Sequence, residues 1–544
     1  YSAVVTTSAG LLGMLPKGLY LLISIGLAAG VVSLSKKNVL VQDLYSLENL
    51  AHVDVLCLDK TGTLTMGKMQ VEKVVMFPGV KDDEFLPVIG SFLKHTTDNN
   101  ATFQALNSYF SHSDAYSCIQ SIPFSSDRKW SAMKLSGVGT FVIGAPERLC
   151  TSELPKNIKT YMEAGKRILL AGVTKEPVDK GQPLPKISLL AAVVIVDPIR
   201  PNASAAMAYF RKEGVAVKII SGDNPTTVSA IAKQAGVPGA ERFIDMSTVP
   251  DDRIDYAAEA YSVFGRVTPA QKRMLVQAMH KKNHTVAMTG DGVNDLLALK
   301  EADCSIAVGQ GSDAARQVAQ LVLLDSDFSV LRDILMQGRR VVNNITKSAG
   351  VFFIKTLYSV ILCLICLITN TPFPFVPIQI TLIDLIIEGY PSFFASFEPN
   401  SKKVTTRFLP EAIRRAAPNA LAISVCFVLY LILNAAGVIG AGGENTQANA
   451  LLFLTIGTVG ILGVFKMCYP FNKLRGFLFV TTGLGYYAAV ALCLFLKDHI
   501  LNHDILKMAI PTAQTLLIFL IFVVVSIIVE RIFALTVFKD KNKV

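Results

Sequence analysis

The chain has 544 residues, 51% of them hydrophobic, and a mean hydropathy of +0.45. It is too long for one compact core and too apolar for an ordinary soluble protein, so a single soluble domain is excluded. The net charge of +10, from 52 basic and 42 acidic residues, is explained by basic loops beside membrane helices, and no nucleic-acid partner is predicted.

Apolar stretches of about 20 residues, the length that crosses a lipid bilayer, occur seven times. Lysine and arginine gather in 400–416, 466–475 and 539–544, whereas 437–449 has neither. Because basic loops face the cytoplasm, we predict a multi-pass protein of the cell (plasma) membrane, in contact with membrane lipid, with its soluble domains and C-terminus cytoplasmic. The predicted spans lie near 4–34, 351–370, 375–397, 417–439, 450–467, 477–496 and 510–528.

Between the first span and the others, short β-branched runs alternate with amphipathic helical stretches, as in parallel α/β sheets. The interval 67–186 has its own apolar segments and turns and separates the first strand from the rest. We therefore interpret it as a second domain inserted into the first. Candidate strands of the α/β domain lie at 53–59, 187–197, 215–223, 284–291, 304–308 and 321–325.

Five of these candidate strands end on an aspartate, and three of those aspartates, Asp59, Asp223 and Asp291, stand at distinctive motifs. A single aspartate in this position is usually a cap for the next helix. Because ligands bind at the carboxyl ends of strands in an open α/β sheet, three of them, followed by "KTGT" or standing in "SGD" and "GDGVND", predict one shared crevice.

Asp59 opens "DKTGTLT", in which a carboxylate precedes a glycine-bearing turn whose backbone N–H groups can bind an anion. A carboxylate can accept a phosphoryl group and so divide one hard hydrolysis into two easier steps. Asp291 and Asp295 offer carboxylates for Mg²⁺. Ser221 and Lys272 could position and neutralise the transferring oxygens.

Five motifs together resemble the P-type ATPases, and taken whole the chain looks closest to the bacterial calcium-pump-like members. The motifs are "DKTGTLT" (59–65), "DPIRPNA" (197–203), "SGDN" (221–224), "VFGRVTPAQK" (263–272) and "TGDGVNDLLAL" (289–299). The resemblance implies ATP-driven cation transport through an aspartyl-phosphate, with ATP and Mg²⁺ required. The transported ion stays open between calcium and a monovalent cation or proton.

The resemblance also implies the site residues and the fold. Asp59 is the predicted phosphorylated residue; Asp59, the Thr61 carbonyl and Asp291 are the predicted Mg²⁺ ligands. The implied fold is an α-helical membrane bundle plus an α/β haloacid dehalogenase-like phosphorylation domain with an inserted α+β nucleotide-binding domain. The remaining residues of the predicted catalytic set are Lys60, Ser221, Asp223, Lys272, Asn294 and Asp295.

The predicted domain order follows from the same resemblance. Residues 1–36 form a membrane helix, unwound at its "PKGL" stretch, and a stalk. Residues 37–66 and 187–342 form the two parts of the phosphorylation domain, and 67–186 form the nucleotide-binding domain. Residues 343–544 form a six-helix membrane region.

In the inserted domain, the resemblance implies nucleotide contacts by Phe124, Lys129, Gly144 and Arg167 and places Asp197 and Arg200 at the hinge between the two soluble domains. Phe124 could stack on adenine, and the lysine and arginine could meet charge. The chain departs from the family pattern at two positions. Ile143 replaces the lysine of the family's KGAPE segment, and Phe103 stands where a glutamate is expected.

The predicted transport site lies in the membrane region. "LPKGL" (15–19) stands where cation pumps of the family have an unwound PEGL motif, so Lys17 replaces a carboxylate. Lys355, Asp384 and Glu388 also fall in predicted spans, where charges are usually paired or functional. Two ammonium groups against two carboxylates would disfavour a divalent cation. The hypothesis is that Lys17 either acts as a built-in cation, which favours monovalent ions or protons, or loses its proton when a cation arrives. A purely structural pairing of both lysines is the alternative.

Two other functions are compatible with the sequence. A membrane-tethered haloacid dehalogenase-type phosphatase would use Asp59 and Asp291 in the same way. An incomplete or non-catalytic transporter fragment is the second alternative, because no TGE sequence of an actuator domain occurs and the family's first three membrane helices are not found. The actuator is therefore expected in a missing segment or in a separate partner chain.

Overall fold

The computed structural model describes the chain except for residues 1, 126, 151–152, 164, 181, 326–328, 440–445, 497–505 and 539–544, and the side chains of 2–6, 61 and 163. Three parts of the predictions therefore fall outside the described residues. They are the basic tail 539–544, most of the loop 437–449 that lacks lysine and arginine, and the side chain of Thr61. The chain divides into two compact units, residues 34–334 and residues 1–33 with 335–544.

The unit of residues 34–334 contains an eight-stranded sheet in the order β1-β14-β13-β12-β2-β9-β11-β10. All neighbouring strands are parallel except β1, which pairs antiparallel with β14. The strands are β1 (Val39–Val41), β2 (Val55–Asp59), β9 (Ala216–Ile220), β10 (Phe243–Asp245), β11 (Val263–Gly265), β12 (Val286–Gly290), β13 (Cys304–Val308) and β14 (Leu321–Leu323).

The second sheet of this unit has six strands in the order β3-β8-β7-β6-β5-β4, all pairs antiparallel. Each face of this second sheet is covered by an apolar cluster, and both clusters include residues of its strands. The strands are β3 (Gln70–Met76), β4 (Cys118–Ser125), β5 (Trp130–Leu135), β6 (Gly139–Gly144), β7 (Arg167–Thr174) and β8 (Ser188–Val196).

Strand β8 corrects one prediction. The sequence pattern predicts that 187–197 belongs to the parallel sheet. In the structure, β8 pairs with β3 and β7 in the antiparallel sheet. Val193 belongs to the apolar cluster on one face and Val194 to the cluster on the other. A strand buried on both faces is continuously apolar, which is the pattern typical of parallel sheets. The sequence pattern therefore misassigned it.

The helices of this unit pack on the two sheets. Helix α11 shows why such elements begin where they do, because Thr268 and Gln271 form a capping box ahead of its first turn and Pro269 fills that turn. The helices are α3 (Ser46–His52), α4 (Asp82–His95), α5 (Ala101–Tyr109), α6 (Pro146–Leu149), α7 (Lys156–Glu163), α8 (Ala203–Lys212), α9 (Pro225–Gln234), α10 (Ile254–Ala260), α11 (Pro269–Lys281), α12 (Leu296–Glu301) and α13 (Asp313–Val318).

The other unit is a helical bundle. Seven helices of the described residues are long and apolar enough to cross a membrane, in agreement with the predicted number. One core cluster joins most of them. The helices are α1 (Ser2–Met14), α2 (Lys17–Ser35), α14 (Val330–Thr369), α15 (Pro377–Ile383), α16 (Tyr390–Ala395), α17 (Phe408–Ala435), α18 (Thr446–Cys468), α19 (Lys473–Leu496) and α20 (Ala513–Thr536).

Two of the spans are irregular. The first is broken between α1 and α2 at Leu15 and Pro16, whereas residues 17–19 of the "PKGL" stretch belong to α2. The span formed by α15 and α16 contains a π-helical stretch, Asp384–Gly389, between them. Non-helical or irregular backbone at membrane depth is tolerated where it is buried in protein or lines a cavity, so both places are candidates for function.

Candidate functional site

Asp59 stands at the carboxyl end of β2, in the middle of the eight-stranded sheet. Its neighbours are β12, with Leu58 opposite Thr289, and β9, with Asp59 opposite Ile220. Because the three strands are parallel, the residues that follow them, Ser221 after β9 and Asp291 after β12, emerge at the same edge. The predicted crevice is therefore a consequence of strand order.

Three carboxylates meet at this edge. Ligand oxygens of Asp59, Asp291 and Asp295 all lie within 4.8 Å of one another. Asp59 and Asp295 are buried, and Asp291 is half-buried. Oxygen-rich clusters of this kind suit a hard divalent cation such as Mg²⁺, so the residues present fit the predicted metal.

Lys272 supplies the positive charge of the cluster. It lies on the first turn of α11, and its Nζ donates to Asp59 Oδ1 at 2.8 Å and also to Asp295. The ammonium is itself buried, so the pair is shielded from water. One lysine against three carboxylates leaves the cluster negative, which a bound cation would compensate.

Burial is the main cause of the pKa shifts of Asp59 and Asp291. Burial raises the pKa of Asp59 to about 6, although Lys272 acts in the opposite direction. Burial, followed by the charge of Asp295, also raises the pKa of Asp291. Burial disfavours the ionised form of a carboxyl group, and a divalent cation would restore it.

The turn after Asp59 is a π-helical stretch, Lys60–Leu64. Gly62 has φ +69°, and a Cβ there would lie 2.8 Å from Asp291 Oδ2, so a side chain is excluded on both counts. Arg200 donates from Nη2 to the Gly62 carbonyl at 2.9 Å, and Asp197 Oδ1 accepts from the Gly67 amide at 2.9 Å. The two residues predicted at the hinge thus hold this turn.

The other residues of the predicted catalytic set form fewer contacts with the carboxylate cluster. Lys60 forms an ion pair with Asp223, and the Asp223 amide donates to Ser221 Oγ at 3.2 Å. Asn294 is exposed. Two buried hydroxyls, of Thr63 and Thr289, have no hydrogen-bond partner among the described residues, and the sequence did not indicate them. The threonines of "DKTGT" and "MTGD" were the signal that could have indicated them.

In the second sheet, the predicted nucleotide residues share one end, because β4 and β6 end where β5 and β7 begin. Phe124 is partly exposed, and its amide donates to both carboxylate oxygens of Asp98 at 3.0 Å. Lys129 pairs with Glu147 at 3.0 Å. A Cβ on Gly144 would lie 2.5 Å from Trp130 Cβ. Asp98 was missed by the sequence reasoning.

Arg167 lies at the start of β7 and is exposed, with Nη1 3.4 Å from Thr102 Oγ1. Phe103, which stands where the family pattern has a glutamate, is buried and packs against Phe92 with ring centroids 5.9 Å apart. Ile143 is also buried, in β6. Both departures from the family pattern are therefore core residues of this domain.

In the bundle, the structure brings together three of the four predicted transport residues. Lys355 on α14 forms an ion pair with Asp384 and its Nζ is 3.4 Å from Glu388 Oε2. Lys355 and Glu388 are buried. Lys17, the first residue of α2, is exposed, and no ion pair of the described residues includes it.

Two further groups on α14 accompany this cluster. The hydroxyls of Tyr358 and Ser359 are buried, and within the part of the chain that the structure describes they have no hydrogen-bond partner. They follow Lys355 by three and four positions and so share its helix face. Ser392 Oγ, one turn beyond Glu388, is also buried and has no hydrogen-bond partner among the described residues. The helical spacing from Lys355 could have predicted the first two.

Comparison with known proteins finds a matching family and similar relatives. Residues 53–303 match the family of haloacid dehalogenase-like hydrolases. The chain is 44% identical over 545 residues to a probable cation-transporting ATPase of Streptococcus pneumoniae, covering 97% of this chain and 68% of that protein. It is 36% identical over 516 residues to a calcium-transporting ATPase of Mycobacterium bovis, covering 92% of this chain and 64% of that protein.

Among solved structures, a zinc-transporting PIB-type ATPase matches with a TM-score of 0.52 at 20% identity, covering 70% of this chain and 55% of that one. This likeness concerns the fold. The chain spans about two thirds of the length of the Streptococcus and Mycobacterium relatives.

Proposed function

The chain belongs to the cation-transporting P-type ATPases, and on that premise we propose that it takes part in ATP-driven cation transport with Asp59 as the residue that is phosphorylated. The observation that carries the proposal is the position of Asp59, buried at the end of a central strand, 2.8 Å from Lys272 Nζ and within the carboxylate cluster. The predicted fold class and membership of this family are confirmed.

The proposed phosphoryl transfer follows from the chemistry of these groups. A carboxylate oxygen of Asp59 attacks the terminal phosphorus of ATP, the bond from that phosphorus to the bridging oxygen breaks, and ADP leaves. Water later attacks the same phosphorus and releases phosphate, which regenerates the Asp59 carboxylate. Lys272 holds Asp59 in place and offsets the charge that spreads over the phosphoryl oxygens.

Asp59 and Asp291, with the Thr61 carbonyl, would hold Mg²⁺, and Asp295 would remain with Lys272. When bound, Mg²⁺ supplies positive charge that neutralises the phosphoryl oxygens. Arg200, through the Gly62 carbonyl, keeps the turn close to Asp291. Ser221 and Asn294 would contact the phosphoryl group.

For the nucleotide, we place adenine against the exposed face of Phe124, with Lys129 and Arg167 toward the phosphates. The shared sheet end supports this placement, and Gly144 leaves space beside Trp130. The domain boundaries proposed above, with 67–186 as the nucleotide-binding domain, remain a prediction, except that β8 pairs within the inserted sheet.

For the transport site, Lys355, Asp384 and Glu388 are the proposed groups. With Lys355 protonated and both carboxylates ionised, one positive and two negative charges leave the cluster at −1. This charge favours a monovalent cation or a proton. The name of the Mycobacterium relative favours calcium, and calcium at these carboxylates would require the ammonium to withdraw or to lose its proton. Lys355, rather than the exposed Lys17, fits the role of a built-in cation.

The chain is a multi-pass membrane protein with seven candidate spans. We place it in the cell membrane, with the soluble unit and the C-terminus in the cytoplasm. The basic segments 400–416 and 466–475 support this orientation.

Phosphate incorporation tests the proposal directly. The purified chain is incubated with ATP labelled on the terminal phosphate, with and without Mg²⁺, across a panel of calcium, potassium, sodium and acidic pH. We expect acid-stable, hydroxylamine-labile label in the wild type and none in Asp59→Asn. Asp255→Asn, which removes an exposed carboxylate at the opposite edge of the sheet, is the control. Label that persists in Asp59→Asn would exclude the proposed role.

A further inference from the structure

A cavity of about 640 Å³ opens at the amino-terminal edge of the eight-stranded sheet, opposite the edge that carries Asp59. Val55, the first residue of β2, lines it, whereas Asp59 is the last residue of that strand. Five residues of strand separate the two edges by roughly 13 Å, at about 3.3 Å per residue. The cavity is therefore distinct from the phosphorylation site.

The lining combines an apolar interior with a charged rim. Val217, Ala258 and Met279 line it and are buried core residues. Five basic residues also line it: Arg211, Lys218, Arg242, Lys282 and His284. Against them stand two acidic residues, Asp255 and Glu259.

The acidic residues are already paired. Asp255 accepts from Lys281, with the nearer oxygen 2.9 Å away, and Glu259 lies 3.4 Å from Lys282. His284 is 2.9 Å from Asp54. Within the described part of the chain, no carboxylate forms an ion pair with Arg211, Lys218 or Arg242. Three cations that have no ion-pair partner among the described residues thus face this space.

Lys218 is not an ordinary solvated lysine. Its Nζ donates to the Tyr261 carbonyl at 2.8 Å and lies 5.7 Å from the ring centroid of Phe264. Burial lowers the pKa of this amine. A cation held in partly apolar surroundings beside a cavity gains more from a bound anion than an exposed one does, because water screens it less.

Arg242 is also held in place. A Cβ on Gly239 would lie 2.7 Å from its Nη2, so the glycine leaves room for the guanidinium. The same nitrogen donates to Ser262 Oγ at 3.3 Å, and Ser262 is buried. The guanidinium has further N–H groups to offer, since arginine carries five donors in a planar fork.

We propose that this cavity binds a small organic anion that carries a phosphate group, with Arg242, Lys218 and Arg211 contacting the phosphate and the apolar interior contacting its organic part. A phosphate monoester suits the site because it carries close to two negative charges and matches the fork of arginine. The ligand is a soluble phosphate ester or the headgroup of a phosphatidic acid, which share this chemistry. The inference does not depend on phosphorylation of Asp59.

Equilibrium dialysis of the full-length chain with labelled inorganic phosphate tests the inference. The measurement is made in detergent with EDTA, so that the carboxylate cluster lacks a divalent cation and does not attract phosphate. We expect saturable binding in the wild type and in Asp59→Asn. The affinity should fall about tenfold or more in Arg242→Gln and in Lys218→Met, since each removes a charge-assisted contact.

Lys212→Gln is the matched control, because Lys212 is exposed beside Arg211 at the same edge of the domain and does not line the cavity. It should leave the affinity within about twofold. Since Lys218→Met could disturb the core, the double variant Arg211→Gln/Arg242→Gln provides a second test at two exposed positions. Unchanged binding in this double variant, or an equal loss in Lys212→Gln, would overturn the proposal.

Competition distinguishes the two sources of the phosphate group. Glucose 6-phosphate and a short-chain phosphatidic acid are each added to the bound phosphate, with short-chain phosphatidylcholine as the control. Displacement by glucose 6-phosphate alone assigns a soluble ester, and displacement by phosphatidic acid alone assigns a lipid headgroup. Displacement by neither, or by phosphatidylcholine equally, would contradict the proposed ligand class.

Discussion

Lys272 Nζ lies 2.8 Å from Asp59 Oδ1 and also contacts Asp295, so that one ammonium group bridges two buried carboxylates. The lysine sits on the first turn of α11, and Asp59 ends β2. Sheet and helix are thus joined at the proposed phosphorylation site. Removing either partner leaves a buried charge with less compensation, which is costly.

Replacing Lys272 with methionine should lower the rate of phosphate incorporation at Asp59 by about 10²-fold or more, because a preorganised charge near the transferring group is removed. Lys272→Arg should restore only part of the rate. Rapid-quench measurements with labelled ATP give the rate. Lys281→Met is the control, since Lys281 lies at the far end of the same helix and pairs with Asp255. A rate in Lys272→Met equal to that of the control would remove Lys272 from the mechanism.

The affinity for Mg²⁺ should depend on pH, because cations bind the ionised carboxylates and protons compete for them. The Asp59 pKa is raised to about 6, so Asp59 is mostly ionised above this pH and mostly protonated below it. As pH falls through about 6, the apparent Mg²⁺ affinity should therefore decrease, by up to about tenfold per pH unit for each proton displaced. Titration calorimetry between about pH 5 and pH 7.5 measures the effect.

The matched variant for this titration is Asp59→Asn, whose amide does not titrate. Its Mg²⁺ affinity should be lower at neutral pH and should change less steeply with pH, with the slope that Asp291 contributes remaining. An affinity that stays constant across this range in the wild type would argue against Asp59 as a ligand.

Gly62→Ala should weaken Mg²⁺ binding and slow phosphorylation. The added Cβ would lie 2.8 Å from Asp291 Oδ2, in addition to the strain of φ +69°. Gly67→Ala is a close control, because Gly67 has φ +68° but its nearest atom to such a Cβ is the Gly62 Cα at 3.6 Å. Strain of this kind costs about 1 kcal/mol in both variants. Calorimetry should show the loss of Mg²⁺ affinity in Gly62→Ala, and equal losses in both would mean that strain alone acts.

Lys355→Met tests the built-in cation. It leaves Asp384 and Glu388 without their ammonium partner, so the cluster loses one positive charge. We expect phosphorylation to become more sensitive to calcium, by about tenfold or more in the concentration for half-maximal effect. Lys466→Met, which breaks the ion pair with Glu530 elsewhere in the bundle, controls for general destabilisation. A calcium dependence that does not change in Lys355→Met would mean that the pairing is structural.

Much of the catalytic edge could be predicted because its motifs are local. "DKTGT" and "GDGVND" place a carboxylate directly after a strand, and the glycine of the first motif is required where Gly62 approaches Asp291. Strand β8 could not be assigned from pattern, since a strand covered on both faces is apolar in either kind of sheet. The strands β10 and β11, three residues each, were too short to show a period.

The sequence by itself determined which groups this protein carries and how many spans it has, because motif chemistry and hydrophobic length are properties of short stretches. Only the tertiary structure decided which groups meet. It set Lys355, and not Lys17, against Asp384 and Glu388, and it placed three cations without an ion pair to any described residue around a cavity at the far edge of the sheet. These contacts depend on how helices and strands that are distant in the sequence pack together. The spacing of residues along the chain does not determine this packing.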